Sequence, residues 1–189
     1  MKHLIKAAAV AVGLFIAGSA GAQAQQKFGH LNSAELLQAM PEMKAADATF
    51  QTFQKQKQTQ LEQMDAERQK KIQAFQDKYK TLSEANKETV GKELQTMQNE
   101  IQDMEKRIDE TQQKAQEELA VKRNELYEPV FNKAEAAVKA VAKEKGYAYV
   151  FDVSQPGVVY FEGGDDILAA VKAKLGIPAT STTSAAPKK

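Results

Sequence analysis

Large apolar residues fall along this chain in three regimes. The first is a compact run, Ala7 to Ala17, broken only by Gly13. The second is sparse: from Glu42 to Glu128, 19 of 87 positions are Ile, Leu, Met, Val, Phe or Tyr. The third is dense, with 13 such residues among the 29 from Tyr147 to Leu175. A stretch near one in five can bury only a narrow stripe, whereas one near one in two can supply a compact core. The chain is therefore not one uniform globule.

Spacing in the sparse region predicts long helices. Phe50, Leu61 and Ile72 lie 11 apart, as do Phe53, Met64 and Phe75, and Lys57, Arg68 and Tyr79. An 11-residue repeat winds a nearly straight or slightly right-handed stripe. Farther on, Val90, Leu94, Met97, Ile101, Met104 and Ile108 alternate steps of four and three, the heptad of a left-handed seam. Between Glu42 and Lys145 stand a single Gly (Gly91) and a single Pro (Pro129), amid strong helix formers. Two one-striped helices in succession predict an antiparallel hairpin. The turn is expected at 80–84, where Thr81 and Glu84 have capping-box spacing and Ser83 is a competing cap. With the tip near Leu82, facing residue numbers sum to about 164, so Met64 meets Ile101 and Phe75 meets Val90. The returning helix, Glu84 to Lys145, overshoots its partner by roughly 23 residues, or about 35 Å. Pro129 is expected to kink it where arm gives way to body.

The dense region reads as strand, turn and strand. Tyr147–Val153 is aromatic and β-branched, Pro156-Gly157 turns the chain, and Val158–Phe161 returns as the second strand of a hairpin. A short helix from Asp166 to Leu175, capped by Asp165 or Asp166, ends at Gly176. At the other end, Lys27–Asn32 is a short strand, followed by a brief helix capped by Asn32 or Ser33 and interrupted at Met40-Pro41. These few strands and helix ends make a small core with open edges, so the body is expected to be completed by oligomerisation.

Composition then narrows the chemistry. Basic residues at Lys2 and Lys6, the apolar run and the small residues Ala22 and Ala24 read as a secretory leader cleaved between Ala24 and Gln25. Its loss changes the net charge from +1 to −1. Zero Cys rules out disulfides, thiolate metal sites and a cysteine nucleophile. One His, His30, remains after the leader, so a histidine-based catalytic or zinc centre is excluded. There is no nucleophile–base set, phosphate loop or basic-aromatic nucleic-acid surface, and no cofactor is expected. Charge is uneven: Arg68, Lys70, Lys71, Lys78, Lys80, Lys87 and Lys92 outnumber three acids in 68–92, a net of +4. Residues 99–125 carry a net of −3. A basic arm tip is a candidate for steering acidic partners or touching anionic lipid, against the plain alternative of a solvated coiled-coil face.

The order of these elements, with KFGHLNSAELL at 27–37 and YVFDVSQPGVVYFEGGDDILAAVKAKLG at 149–176, resembles the Skp/OmpH family of periplasmic chaperones. The fold class expected is α+β, mostly α. The leader is 1–24, the β-rich trimerisation body 25–41 and 129–177, the hairpin arm 42–128 and the polar tail 178–189. The resemblance implies a homotrimer with a shared β-barrel and arms around a cavity. It also implies ATP-independent holding of unfolded outer-membrane proteins in the periplasm, with no enzyme activity. Candidate client contacts are Phe50, Phe53 and Tyr127 near the arm root, where core packing is the competing role. Met43, Met64, Met97 and Met104 fit the helix seam better than client contact. Candidate body residues for the trimer are Phe28, Leu31, Tyr147, Tyr149, Phe151, Val153, Val158 and Tyr160. The alternative reading is an envelope adaptor binding lipid or cell-wall polymer through basic arm tips.

Overall fold

The computed structural model describes residues 26–158 and 160–178. The expected leader, its cleavage point at Ala24 and Gln25, and all of the expected tail beyond Pro178 lie outside them.

Strand β1 (Lys27–Leu31) leads into helix α1 (Ser33–Ala39). The Asn32 side chain caps α1 by accepting from the Glu35 N–H at 3.0 Å. Met40 turns extended and Pro41 opens helix α2 (Pro41–Tyr79), where the missing N–H is harmless. Helix α3 (Lys87–Lys145) returns and stops at Gly146, whose φ of 70° is the left-handed cap foreseen from Lys145-Gly146. The two helices have 39 and 59 residues, about 58 and 88 Å long. Helix α3 stays helical through Pro129.

The turn departs from expectation. Thr81 does not cap α3: its hydroxyl donates to the Lys78 carbonyl at 2.7 Å. Asn86 organises the connection instead, accepting from the Ser83 N–H at 2.7 Å and donating to the Thr81 carbonyl at 2.8 Å. An amide side chain can close a loop from both ends, so α3 starts at Lys87 rather than Glu84. The alignment of the helices shifts too. Lys71 pairs with Glu100 and Lys78 with Glu93, so facing numbers near the tip sum to 171 and not to about 164, rising to 175 at Lys57–Glu118 and Glu42–Lys133.

Burial along the arm is slight. In α2 the single fully buried residue is Ala46, while α3 contributes Val90, Leu94, Met104 and Ala115 before the root. The dense core lies at the root, where Leu31, Leu36, Met40, Val130, Ala134, Ala137, Val141, Ile167, Leu168 and Val171 pack together. The overshoot of α3 thus belongs to the body.

The sheet also differs from the hairpin expected. Strand β2 (Tyr147–Asp152) pairs in parallel with β1, and β3 is Asp165–Asp166, parallel on the other side of β1. The order is β2-β1-β3. Among the described residues, Val158, Tyr160 and Phe161 are in no strand. One edge of β2 is taken by β1, and the other has no strand beside it among the described residues. The chain after Gly157 crosses instead to the far side of β1. Helix α4 (Leu168–Lys174) begins two residues later than expected. The Asp166 carboxylate still serves its start, accepting from the Leu168 N–H at 2.9 Å.

Candidate functional site

Two surfaces are candidates: the uncovered face of the small sheet, and the arm. On β1, Gly29 and Leu31 point to the core, while Phe28 and His30 point away. A Cβ on Gly29 would lie 3.2 Å from Ile167 Cγ2 and 3.4 Å from the Tyr147 ring. Only glycine lets both close over the strand at that point. Between Lys27 and Phe28 the pairing slips by one residue, from Lys27–Tyr147 to Phe28–Tyr149. The slip breaks the alternation of β2. Tyr147 joins Val150 against the core, and Tyr149 and Phe151 take the opposite face.

That opposite face is aromatic and open. Phe28 lies 5.9 Å from Tyr149 and 6.2 Å from Phe151, and those two rings are 6.4 Å apart. Their exposures are 41%, 57% and 46%. Three adjacent rings this exposed form a contiguous apolar patch of the kind that marks an interaction surface. The patch continues over His30, whose ring lies 4.8 Å from Phe161 and whose Nδ1 is buried without a hydrogen bond. Gly164 brings the loop onto this face at a φ of +82°, where a Cβ would sit 3.2 Å from the Phe28 carbonyl oxygen.

The candidate body residues therefore divide. Phe28, Tyr149 and Phe151 lie on the open face, and Tyr160 is 77% exposed. Leu31 is buried in its own chain's core, Tyr147 packs against that core, and Val153 and Val158 are half-buried. The β2 edge away from β1 has no strand beside it among the described residues.

Polar contacts tie the two chain ends together around the sheet. Asp152 accepts from the Ser33 N–H (3.1 Å) and hydroxyl (2.5 Å), and from the Ser154 N–H (3.0 Å) and hydroxyl (2.7 Å). Burial opposes its ionisation, but these donors outweigh burial and bring the carboxyl from 3.8 to about 2. Asp165 is held below the usual carboxylate range by the Tyr147 hydroxyl at 2.6 Å and by Lys27 at 2.9 Å. Beneath β2, an open pocket of about 410 Å³ lies between the sheet and α1 and α3, lined by Leu37, Phe131, Val138, Val150 and Asp152 among others.

At the arm root the candidate contacts Phe50, Phe53 and Tyr127 are all half-buried. Tyr127 donates to Asp47 at 2.7 Å, meets Phe50 edge-on at 5.9 Å and stacks on Phe131 at 6.3 Å. The bond to Asp47 raises the Tyr127 phenol above its ordinary value. Phe53 stands apart, with Lys57 Nζ 5.1 Å from its ring centroid. Phe131 and Asp47 complete this cluster, and sequence reasoning missed both. The four-residue step from Tyr127 to Phe131 was the available signal.

The basic tip is largely neutralised. Arg68 pairs with Asp65 and Glu105, Lys71 with Glu100, Lys78 with Glu93, Lys80 with Asp77, Lys87 with Glu84 and Lys92 with Glu88. Of the seven basic residues, Lys70 alone makes no ion pair among the described residues. Among the described residues no helix is long and apolar enough to cross a membrane.

Comparison with known proteins places this architecture. Residues 27–175 match a family model described as outer membrane protein (OmpH-like). The chain is 28% identical over 171 residues to the chaperone protein Skp of Photorhabdus luminescens, covering 90% of this chain and 97% of the relative. It is 27% identical over 179 residues to the chaperone protein Skp of Vibrio cholerae, covering 91% and 100%. The fold is similar to the crystal structure of an OmpH-like protein from Caulobacter crescentus, with a TM-score of 0.63 at 16% identity over 79% of this chain and 83% of that one.

Proposed function

The chain belongs to the OmpH-like outer membrane protein family, and from that premise we propose that it is an ATP-independent periplasmic holdase for unfolded outer-membrane proteins. The observation that supports this most directly is how little the arm buries. Helix α2 fully buries one residue of 39 and leaves 25 exposed, so most of an element about 58 Å long remains available as surface. A holdase needs such a surface, with many weak and reversible contacts, rather than one deep pocket.

In this reading the leader is cleaved after Ala24 in the periplasm. The open face of Phe28, Tyr149 and Phe151 is covered by other copies of the chain, giving a homotrimer with a shared barrel. The arms then enclose a cavity, with Phe50, Phe53 and Tyr127 near its root. Release follows from insertion, because folding in the membrane is the stronger sink. No cofactor or nucleotide takes part and no reaction is catalysed. The competing adaptor role depends on free cationic tips, and the pairing of six of those seven residues weighs against it. It also reduces the proposed lipid contact at the tip to Lys70.

The test is suppression of aggregation of a urea-diluted outer-membrane β-barrel without nucleotide. The full chain should suppress it. Deleting Gln54 to Glu110 should abolish suppression while native mass measurement still reports a trimer. Full suppression by the armless body would overturn the reading.

A further inference from the structure

The apolar seam of α3 repeats with a seven-residue period: Val90, Met97 and Met104 form one row, and Leu94, Ile101 and Ile108 the other. Sliding α3 by one heptad along α2 replaces apolar residues by apolar residues. Over this stretch the seam by itself does not choose between the two alignments.

The polar contacts between the helices do choose. Lys57 pairs with Glu118, Arg68 with Glu105 at 3.9 Å, Lys71 with Glu100 at 2.7 Å, and Lys78 with Glu93. In all four the cation is on α2 and the carboxylate on α3. At the root the polarity inverts, with Glu42 on α2 pairing with Lys133 on α3, and Asp47 accepting from Tyr127.

A slip of α3 by seven residues toward the root brings Thr111 opposite Lys57, Gln98 opposite Arg68 and Asn86 opposite Lys78. It brings Leu126 opposite Glu42 and Ala120 opposite Asp47. Only Lys71 keeps a carboxylate, that of Glu93. The opposite slip leaves Glu125 opposite Lys57 and Glu100 opposite Lys78, but it sets Arg107 against Lys71, Gln112 against Arg68, and Ala140 and Ala134 against Glu42 and Asp47. The slip toward the root is close to the alignment that apolar matching alone selects, with facing numbers near 164.

We propose that these cross-helix pairs are a register lock, selecting one alignment among heptad-related alternatives that the apolar seam cannot distinguish. The device works by what the wrong alignment lacks: cations left without partners and a carboxylate set against leucine. The lock does not depend on the chaperone assignment.

The absence of cysteine makes disulfide trapping clean in the full chain. Phe75→Cys with Met97→Cys reports the observed alignment, and Phe75→Cys with Val90→Cys the slipped one. Each exposed pair biases the choice a few-fold, so reversing Lys57, Arg68, Lys71 and Lys78 to Glu should lower the ratio of observed to slipped crosslink on the order of tenfold. Adding Glu93→Lys, Glu100→Lys, Glu105→Lys and Glu118→Lys should restore it. Raising NaCl from about 0.05 M to about 1 M should lower the ratio in the otherwise unaltered chain, with no risk of a misfolded variant. An unchanged ratio on charge reversal or in high salt overturns the proposal. So does failure of the compensated chain to recover while far-UV circular dichroism shows intact helices.

Discussion

Asp152→Asn isolates a contact between residues far apart in sequence. The substitution keeps the shape of the side chain and an acceptor oxygen but removes the charge. Asp152 receives four hydrogen bonds, from the N–H and hydroxyl groups of Ser33 and Ser154. Its partner Ser33 is 119 residues away, so the clamp closes the body across the whole arm. The carboxyl stands at about 2 against an unfolded value of 3.8, a difference equivalent to about 2 kcal/mol at neutral pH. Because the folded value is depressed, this contribution is present above the unfolded value and disappears as pH falls through the folded one. Urea denaturation at one fixed protomer concentration, repeated from neutral pH down to about 2, measures it. The original chain should lose about 2 kcal/mol between about pH 4 and pH 2 from this group alone. Asp152→Asn should be less stable by about that amount at neutral pH and lack that part of the acid limb. A variant as stable as the original at pH 7, with the same acid limb, would refute the reasoning.

Three further outcomes are expected. Replacing Tyr149 and Phe151 together by Ser should lower the native mass toward that of one chain while far-UV circular dichroism keeps the helical signal, because the two rings lie on the face assigned to assembly. Gly29→Val should destabilise the body by about 1–3 kcal/mol in thermal unfolding, since even a Cβ would sit 3.2 Å from Ile167; a neutral effect would show that Tyr147 and Ile167 are free to retreat. Lys70→Gln should change arm stability by less than about 0.5 kcal/mol, whereas Lys71→Gln, which breaks the link to Glu100, should cost up to about 1 kcal/mol; equal effects would contradict the division of the basic tip into paired and unpaired cations.

Legibility in the sequence followed the range of the interaction that decides each feature. The caps at Asn32 and Gly146, the break at Met40-Pro41 and the two long helices rest on residues a few positions apart, and all were readable. The connection at the arm tip was readable in place but not in detail. Thr81, Ser83 and Asn86 all suit a turn, and only packing shows that Asn86 closes it. The exposed aromatic face was half visible. A two-residue strand period would set Tyr147 on one face with Tyr149 and Phe151, and the slip beside Phe28 separates them.

By itself the sequence determined the division into a thinly packed arm and a dense body, because apolar density limits how much each segment can bury. It also determined that no thiol, and no histidine besides His3 and His30, is available for chemistry. The tertiary structure decided what pairs with what. It placed β1 beside β2 and carried the chain after Gly157 to the far side of β1, since strand pairing between distant segments depends on where folding brings them together. It set the helices one heptad from the alignment suggested by apolar matching, since a seven-residue repeat looks the same after a seven-residue slip. It turned three of the seven basic residues, Arg68, Lys71 and Lys78, into cross-links between the helices, since charges distant in sequence neutralise one another only when folding brings them within reach.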